Sequence, residues 1–154
     1  MFSLFKKKKD ELDGMRRFRH RDAFTLVAPA AWQQDESGEH FSLVAPGDAV
    51  SITGSAYAKE DGSLEDFAAY RFSSVQDFYA QIGDERSYAA GGRSIIVREF
   101  EGTWPGESQP TYYVVACIET QGIYASLGFV TTRAEFAAHR KLYDDIIASL
   151  DRAA

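Results

Sequence analysis

Side chains that perform covalent or metal chemistry are few in this sequence. The only thiol, Cys117, lies within an apolar run, and the three histidines, His20, His40 and His139, are far apart. Covalent catalysis needs a serine or cysteine beside a base, and zinc ligands usually occur at short spacings. Neither arrangement is present. The sequence therefore predicts no catalytic residue, no cofactor and no metal site, and it indicates that Cys117 is a small buried hydrophobe.

Two other patterns resemble functional motifs, but their details argue against those functions. Gly91-Gly92-Arg93 is glycine-rich, yet it lacks the Lys-Ser/Thr pair of a phosphate loop and precedes a strand. Glu99, Glu101 and Glu119 come near each other only if the strand that begins at residue 93 pairs with the one that begins at 111. We interpret these three glutamates as solvated charges at a sheet edge.

Residues 101–109, with the sequence EGTWPGESQ, form a long polar connection around a tryptophan. Loops on a rigid scaffold often carry function, and tryptophan is favoured at binding hot spots. We therefore predict that Trp104, Pro105 and Glu107 contact a partner. Two alternatives remain open: the tryptophan covers a sheet edge, or a small-molecule or enzymatic site lies under this loop.

Residues 1–21 carry eight basic and three acidic side chains and are predicted to be a flexible tail. A lysine near an anionic membrane contributes about 1 kcal/mol. The first nine residues therefore predict at most weak peripheral membrane contact, and the alternatives are a solvated tail or contact with an acidic partner. The membrane-contacting residues would be Phe2, Leu4, Phe5, Lys6, Lys7, Lys8 and Lys9.

The remaining residues, 22–154, have the size and composition of one domain. They contain nine basic and twenty acidic residues, and this acidic balance argues against a nucleic-acid groove. The sequence has no apolar run of about 20 residues, which a membrane span requires. MFSLF is too short for the apolar core of a signal peptide. We expect a cytoplasmic protein of bacterial type.

The elements that would position these residues are organised around 110–131. This stretch is apolar at both alternating sets of positions, which predicts a hairpin at the centre of a sheet with cover on both faces. The predicted order is β-β-β-α-β-β-β-α, with six strands in one mainly antiparallel sheet. The predicted strands are 23–28, 40–45, 49–58, 93–100 and the two arms of 110–131, and the predicted helices are 63–82 and 132–150, with a loop at 84–92.

This order, with three short motifs, resembles the PsbP-like superfamily. The motifs are P-x-x-W at Pro29 and Trp32, S-I-T-G-S-A-Y at 51–57 and I-I-A-S-L at 146–150, so the resemblance covers about residues 23–150. The superfamily groups the photosystem extrinsic subunit, the Ran-binding nuclear import factor and bacterial DcrB-like proteins, including chaperones of type VI secretion effectors.

The resemblance implies an α+β fold built as an α/β/α sandwich that binds other proteins and is not an enzyme. We therefore expect a protein-binding module, such as an adaptor, immunity or chaperone-like protein linked to bacterial secretion. A protein partner of unknown identity or a second copy of the chain, in a homodimer, would be its ligand.

Overall fold

The computed structural model describes residues 14–154, which contain ten β-strands and three α-helices. In chain order the elements are β1 (Met15–His20), β2 (Phe24–Pro29), β3 (Gln33–Gln34), β4 (Phe41–Val44), β5 (Ser51–Ala58), α1 (Leu64–Gln76), β6 (Ala80–Ala90), β7 (Arg93–Gly102), β8 (Thr111–Thr120), β9 (Ile123–Thr131), α2 (Arg133–Ala138), α3 (Arg140–Ala148) and β10 (Asp151–Arg152). The α+β class is confirmed.

The strands form two antiparallel sheets where the sequence predicted one sheet of six strands. The larger sheet has seven strands in the order β3-β4-β5-β9-β8-β7-β6, and the smaller has three in the order β1-β2-β10. The predicted hairpin, β8–β9, is confirmed and lies inside the larger sheet, where Ala116 is paired with Leu127. Its turn is Gln121-Gly122, and both residues have the positive φ that two-residue hairpin turns favour.

One face of the seven-stranded sheet, here called the packed face, is covered across its central strands and partly along β6. Side chains such as Val97, Ala116 and Leu127 point from it into a core shared with the three-stranded sheet and with α2 and α3. Because β2 and α3 both pack on these strands, none of the three side chains is more than 1% exposed. The packed face therefore holds most of the buried apolar surface.

The opposite face, here called the α1 face, has only one helix over it. α1 begins at a complete capping box between Ser63 and Asp66, which agrees with the predicted start of a helix at residue 63. Its buried residues pack on β7, β8 and β9, and the core that they form contains Leu64, Ala68, Phe72, Ile96, Phe100, Val115, Cys117 and Tyr124. The prediction of cover on both faces is confirmed, but α1 does not contact β4 to any comparable extent.

Two predicted boundaries in the middle of the chain are wrong. The helix predicted to reach residue 82 ends at Gln76, and most of the predicted loop 84–92 belongs to strand β6. The spacing of Phe78 and Ile82 fits a helix, but pairing with β7 outweighs that local preference. Gly83, with φ of 70°, lies at an irregularity of β6 that the sequence pattern concealed.

The predicted tail 1–21 is also too long. Met15–His20 is a strand that pairs with β2 along its whole length, and Phe18 is only 1% exposed within the core. The run of arginines concealed this strand, because basic residues occupy both alternating sets of positions around Phe18. Residues 1–13 lie outside the part of the chain that the structure describes.

The burial of Phe18 generates a stability prediction. Phe18→Ala removes a fully buried aromatic side chain and is expected to lower the free energy of unfolding by about 3–5 kcal/mol. Phe78→Ala is the matched control, because Phe78 is 66% exposed and its loss should cost about 1 kcal/mol or less. Urea denaturation measures both values. If both variants lose equally little free energy of unfolding, residues 15–20 are a flexible tail and not a strand of the core.

Candidate functional site

The large apolar side chains that remain exposed in residues 14–154 all lie on the α1 face. Tyr57 and Val130 belong to it by strand register, Tyr70 projects from α1, and Phe78 and Trp104 meet beyond the end of that helix. Their exposed fractions are 46%, 38%, 72%, 66% and 43%, respectively. Concentration of exposed apolar side chains on one side is typical of a binding surface.

A groove of about 850 Å³ runs between α1 and the C-terminal end of β5 on this face. Its aromatic wall consists of Tyr57, Phe67 and Tyr124, and the rings of Phe67 and Tyr124 are stacked 5.2 Å apart. Acidic side chains border the same groove at Glu60 and Asp61. The groove therefore offers flat aromatic surface beside negative charge.

A smaller groove of about 350 Å³ adjoins the first and shares Tyr57 and Arg71 with it. Hydroxyl groups from β5 and β9 line its floor, and its full lining is His40, Thr53, Gly54, Ser55, Tyr57, Arg71, Tyr113, Ser126 and Gly128. The pKa of Tyr57 lies below its ordinary value, chiefly because of a hydrogen bond with Ser55 and then because of the Arg71 guanidinium. The groove therefore has positive character at Arg71.

Tyr113 fits between the sheet and this groove because residue 128 is glycine. A Cβ at Gly128 would lie 2.5 Å from the Tyr113 hydroxyl oxygen. Burial raises the pKa of Tyr113, and a hydrogen bond with Thr53 offsets part of that rise. Its ring stacks on Tyr79 at 5.5 Å, which links the groove to the exposed aromatic residues beyond α1.

The predicted loop site is built around Trp104. The indole stacks on Phe78 at 5.5 Å, and its N–H donates a hydrogen bond to the Tyr79 hydroxyl. Pro105 and Glu107 are exposed, and the Glu107 N–H donates to the Trp104 carbonyl at 3.0 Å. The indole contacts are thus aromatic, and no residue of 101–109 lines the 850 Å³ groove.

Of the three glutamates, Glu99 and Glu101 lie on the packed face of the sheet, and Glu119 lies on the α1 face. The predicted pairing of β7 with β8 is confirmed, but each carboxylate has its own cation. Arg140 lies 3.1 Å from Glu99, Arg133 lies 2.9 Å from Glu101, and Lys59 lies 2.5 Å from Glu119, on the other face of the sheet.

Glu99 is not the solvated edge charge that was predicted. Its side chain is only 12% exposed and also accepts a hydrogen bond from the Tyr112 hydroxyl. Burial, followed by this carboxylate, raises the pKa of Tyr112. The ion pair with Arg140 therefore fastens the start of α3 to the sheet and is structural.

The remaining reactive side chains do not assemble into a site. The described residues contain no group of three or more His, Cys, Asp or Glu side chains placed to hold a metal ion. His20 packs against the rings of Phe24 and Phe41, and burial, then the charge of Arg21, lowers its pKa. Cys117 is fully buried in the α1-face core, as the sequence indicated, and burial raises its pKa to about 12.

The sequence pattern did not reveal most of the exposed aromatic residues of the α1 face. The sequence pattern placed Phe78 within the predicted helix 63–82 and indicated no role for Tyr70 or Arg71. One signal was available in β5, where Ser51, Thr53 and Ser55 alternate with an apolar set and mark the face that α1 leaves open. The residues predicted for membrane contact, 1–9, lie outside the described residues, and none of the helices within 14–154 has the length and apolar character to cross a bilayer.

Several solved protein structures are similar to this chain in fold. LpqN, described as involved in cell envelope biogenesis of Mycobacterium tuberculosis, is 13% identical with a TM-score of 0.65, covering 91% of each chain. The cyanobacterial PsbP of Synechocystis is 13% identical with a TM-score of 0.63, covering 90% of this chain and 92% of its own. The fold is PsbP-like.

A third structural neighbour comes from Pseudomonas aeruginosa. This protein of unknown function, PA94, is 21% identical with a TM-score of 0.55, covering 87% of this chain and 94% of its own. No family model matches the chain, and no curated protein matches it in sequence. At these identities the likeness establishes the PsbP-like fold alone.

The burial of Cys117 generates a reactivity prediction. With its pKa raised to about 12, the thiol stays neutral at pH 8, and reagents that need a thiolate also cannot reach it. We expect no labelling by a chromogenic disulfide reagent in the native protein at pH 8 and one thiol per chain in guanidinium chloride. Fast native labelling would place Cys117 at a reactive site and contradict this structure.

Proposed function

We propose that the protein is a non-catalytic protein-binding module that holds a partner segment on its α1 face. The observation that carries the proposal is the location of every exposed large apolar side chain in residues 14–154 on that one face. Aromatic side chains dominate binding energy at protein interfaces. Here Tyr57, Phe78 and Trp104 are already held in place by contacts with other rings, so these side chains lose little conformational entropy on binding.

The shape and charge of the α1 face favour an extended or helical segment of another protein. The two grooves and the Phe78–Trp104 pair follow one another along α1, which suits a segment with several apolar side chains. Glu60 and Asp61 at one end favour basic residues in that segment. The predicted contacts at Trp104, Pro105 and Glu107 form the other end of the same surface.

The more specific role that we propose is that of an adaptor, immunity or chaperone-like protein linked to bacterial secretion. This role rests on the sequence resemblance to the DcrB-like branch. The proposal includes a cytoplasmic location. The acidic balance of residues 22–154 supports a protein partner over a nucleic acid. A small-molecule or enzymatic site under the loop 101–109 is the alternative, but the aromatic surroundings of Trp104 favour it less.

Capture of a partner by variants tests the proposal. Tagged wild-type protein should recover one stoichiometric partner after crosslinking in its native cells, and Phe78→Ala with Trp104→Ala should weaken capture by about 30-fold or more, as truncation of hot-spot residues does. The matched control is Lys141→Ala on α3, a side chain that is 88% exposed on the packed side. Equal loss in both variants, or no loss in either, would refute the α1 face as the binding surface.

A homodimer is the second occupant that this experiment can detect. Recovery of untagged copies of the same chain, lost in the Phe78→Ala and Trp104→Ala variant but retained with Lys141→Ala, would assign the α1 face to self-association. Sedimentation of the purified protein would then show a dimer that the double variant dissociates. A dimer that is insensitive to those substitutions would use another surface.

Membrane contact through residues 1–9 is a separate proposal. The full chain is expected to co-sediment weakly with vesicles that contain anionic lipid, and the binding should fall as salt is raised, because lysines provide the attraction. A chain that lacks residues 1–9 should stay in the supernatant, as should the full chain with neutral vesicles. Undiminished vesicle binding after deletion of residues 1–9 would contradict this proposal.

A further inference from the structure

Arg71 on α1 forms no ion pair among residues 14–154. Its Nε atom is buried without a hydrogen-bond acceptor, and its Nη2 atom reaches only the Ser55 hydroxyl at 3.4 Å. Arg86 also has an unpaired Nε, but its Nη2 lies 3.2 Å from Asp144. Arg71 is thus a partly buried charge that the fold holds in place without neutralising it.

A second arginine on the same face shows what is missing at Arg71. The guanidinium of Arg98 lies 4.6 Å from the ring centroid of Phe72, and its Nε donates to Glu85 at 2.7 Å. The guanidinium of Arg71 is stacked in the same way, 4.8 Å from Tyr57 and 5.4 Å from the ring of an α1 phenylalanine. No carboxylate among residues 14–154 pairs with Arg71, although its distance from the nearer ring is similar to that of Arg98.

The groove in front of Arg71 has the chemistry of an anion site. No aspartate or glutamate lines it, whereas hydroxyl groups of Thr53, Ser55 and Ser126 do. These hydroxyls can donate hydrogen bonds to an oxyanion, and the guanidinium fork matches the two oxygens of a carboxylate. The rings of Tyr57 and Tyr113 border the same space and provide apolar surface for whatever bears the charge.

We propose that this groove binds a carboxylate group carried on an aromatic or apolar framework, with Arg71 as its charge partner. A single guanidinium balances one negative charge, which suits a carboxylate better than a phosphate dianion in so acidic a body. The volume of about 350 Å³ accommodates one aromatic ring or one residue. The carboxylate belongs to a small molecule or to the C-terminus of a polypeptide, and this inference does not depend on the protein-partner proposal.

Titration of the isotope-labelled full chain by NMR tests the site with defined probes. N-acetylphenylalanine should shift the amide signals of residues 53–57 and 126–128 and bind at least about tenfold more tightly than its uncharged amide. Equal affinity of acid and amide, or no binding of the acid, would overturn the proposal. This comparison uses only the wild-type protein, so it stands even if an Arg71 variant fails to fold.

Variants then assign the charge partner. Arg71→Gln should abolish the preference for the acid, and Arg71→Lys should restore it in part, because lysine keeps the charge but lacks the fork. Arg98→Gln is the matched control and should leave binding unchanged. Loss in the Arg98 variant equal to that in the Arg71 variant would contradict a specific site.

Two further probes separate the sources of the carboxylate. Benzoate that binds as tightly as a peptide with a free C-terminus assigns the site to small carboxylates, and a tighter peptide assigns it to a chain terminus; either outcome supports the carboxylate. Inorganic phosphate that competes more strongly than both probes would overturn it.

Discussion

The structure depends on one constraint: the β8–β9 hairpin is apolar on both faces and must be covered on both. The chain meets this requirement unequally, with two helices and a second sheet on one face and a single 13-residue helix on the other. A helix is about 10 Å wide and strands are about 4.8 Å apart, so one helix covers about two to three of the seven strands. The α1 face is therefore left partly open, and hydroxyl-bearing and aromatic residues of β5 occupy the open part.

This division separates stability from binding. Several charges on the packed side are neutralised within the chain, as Glu99 is by Arg140, and this ion pair fastens a helix to the sheet. On the α1 face Arg98 forms an ion pair with Glu85. Arg71 lies beside the open strand β5 and forms no ion pair among residues 14–154. The same contrast holds for aromatic side chains: Phe72 is buried beneath α1, while Tyr70 on the opposite side of that helix is largely exposed. Residues on the open side are thus available for contacts that the fold itself does not need.

The sequence predicted the parts of the fold that depend on local pattern. The double-sided hairpin at 110–131 and the burial of Cys117 followed from alternation and composition. The pairing of β1 and β6 could not be predicted in the same way. The sequence of β6 has the pattern of a helix end followed by a loop, and that of β1 has the pattern of a charged tail. The open surface was harder to predict than the strand pairing, because Phe78 is exposed only since α1 ends before it, at Gln76.

Hydrogen–deuterium exchange of the complex with the recovered partner tests the central claim most directly. If the α1 face is the binding surface, the partner should slow exchange in β5, in α1 and in the connection around Trp104. Exchange in α2, α3 and β2 should stay unchanged, because that side is already sealed by the protein's own core. Protection confined to residues 133–152, with β5 and α1 unaffected, would contradict the account.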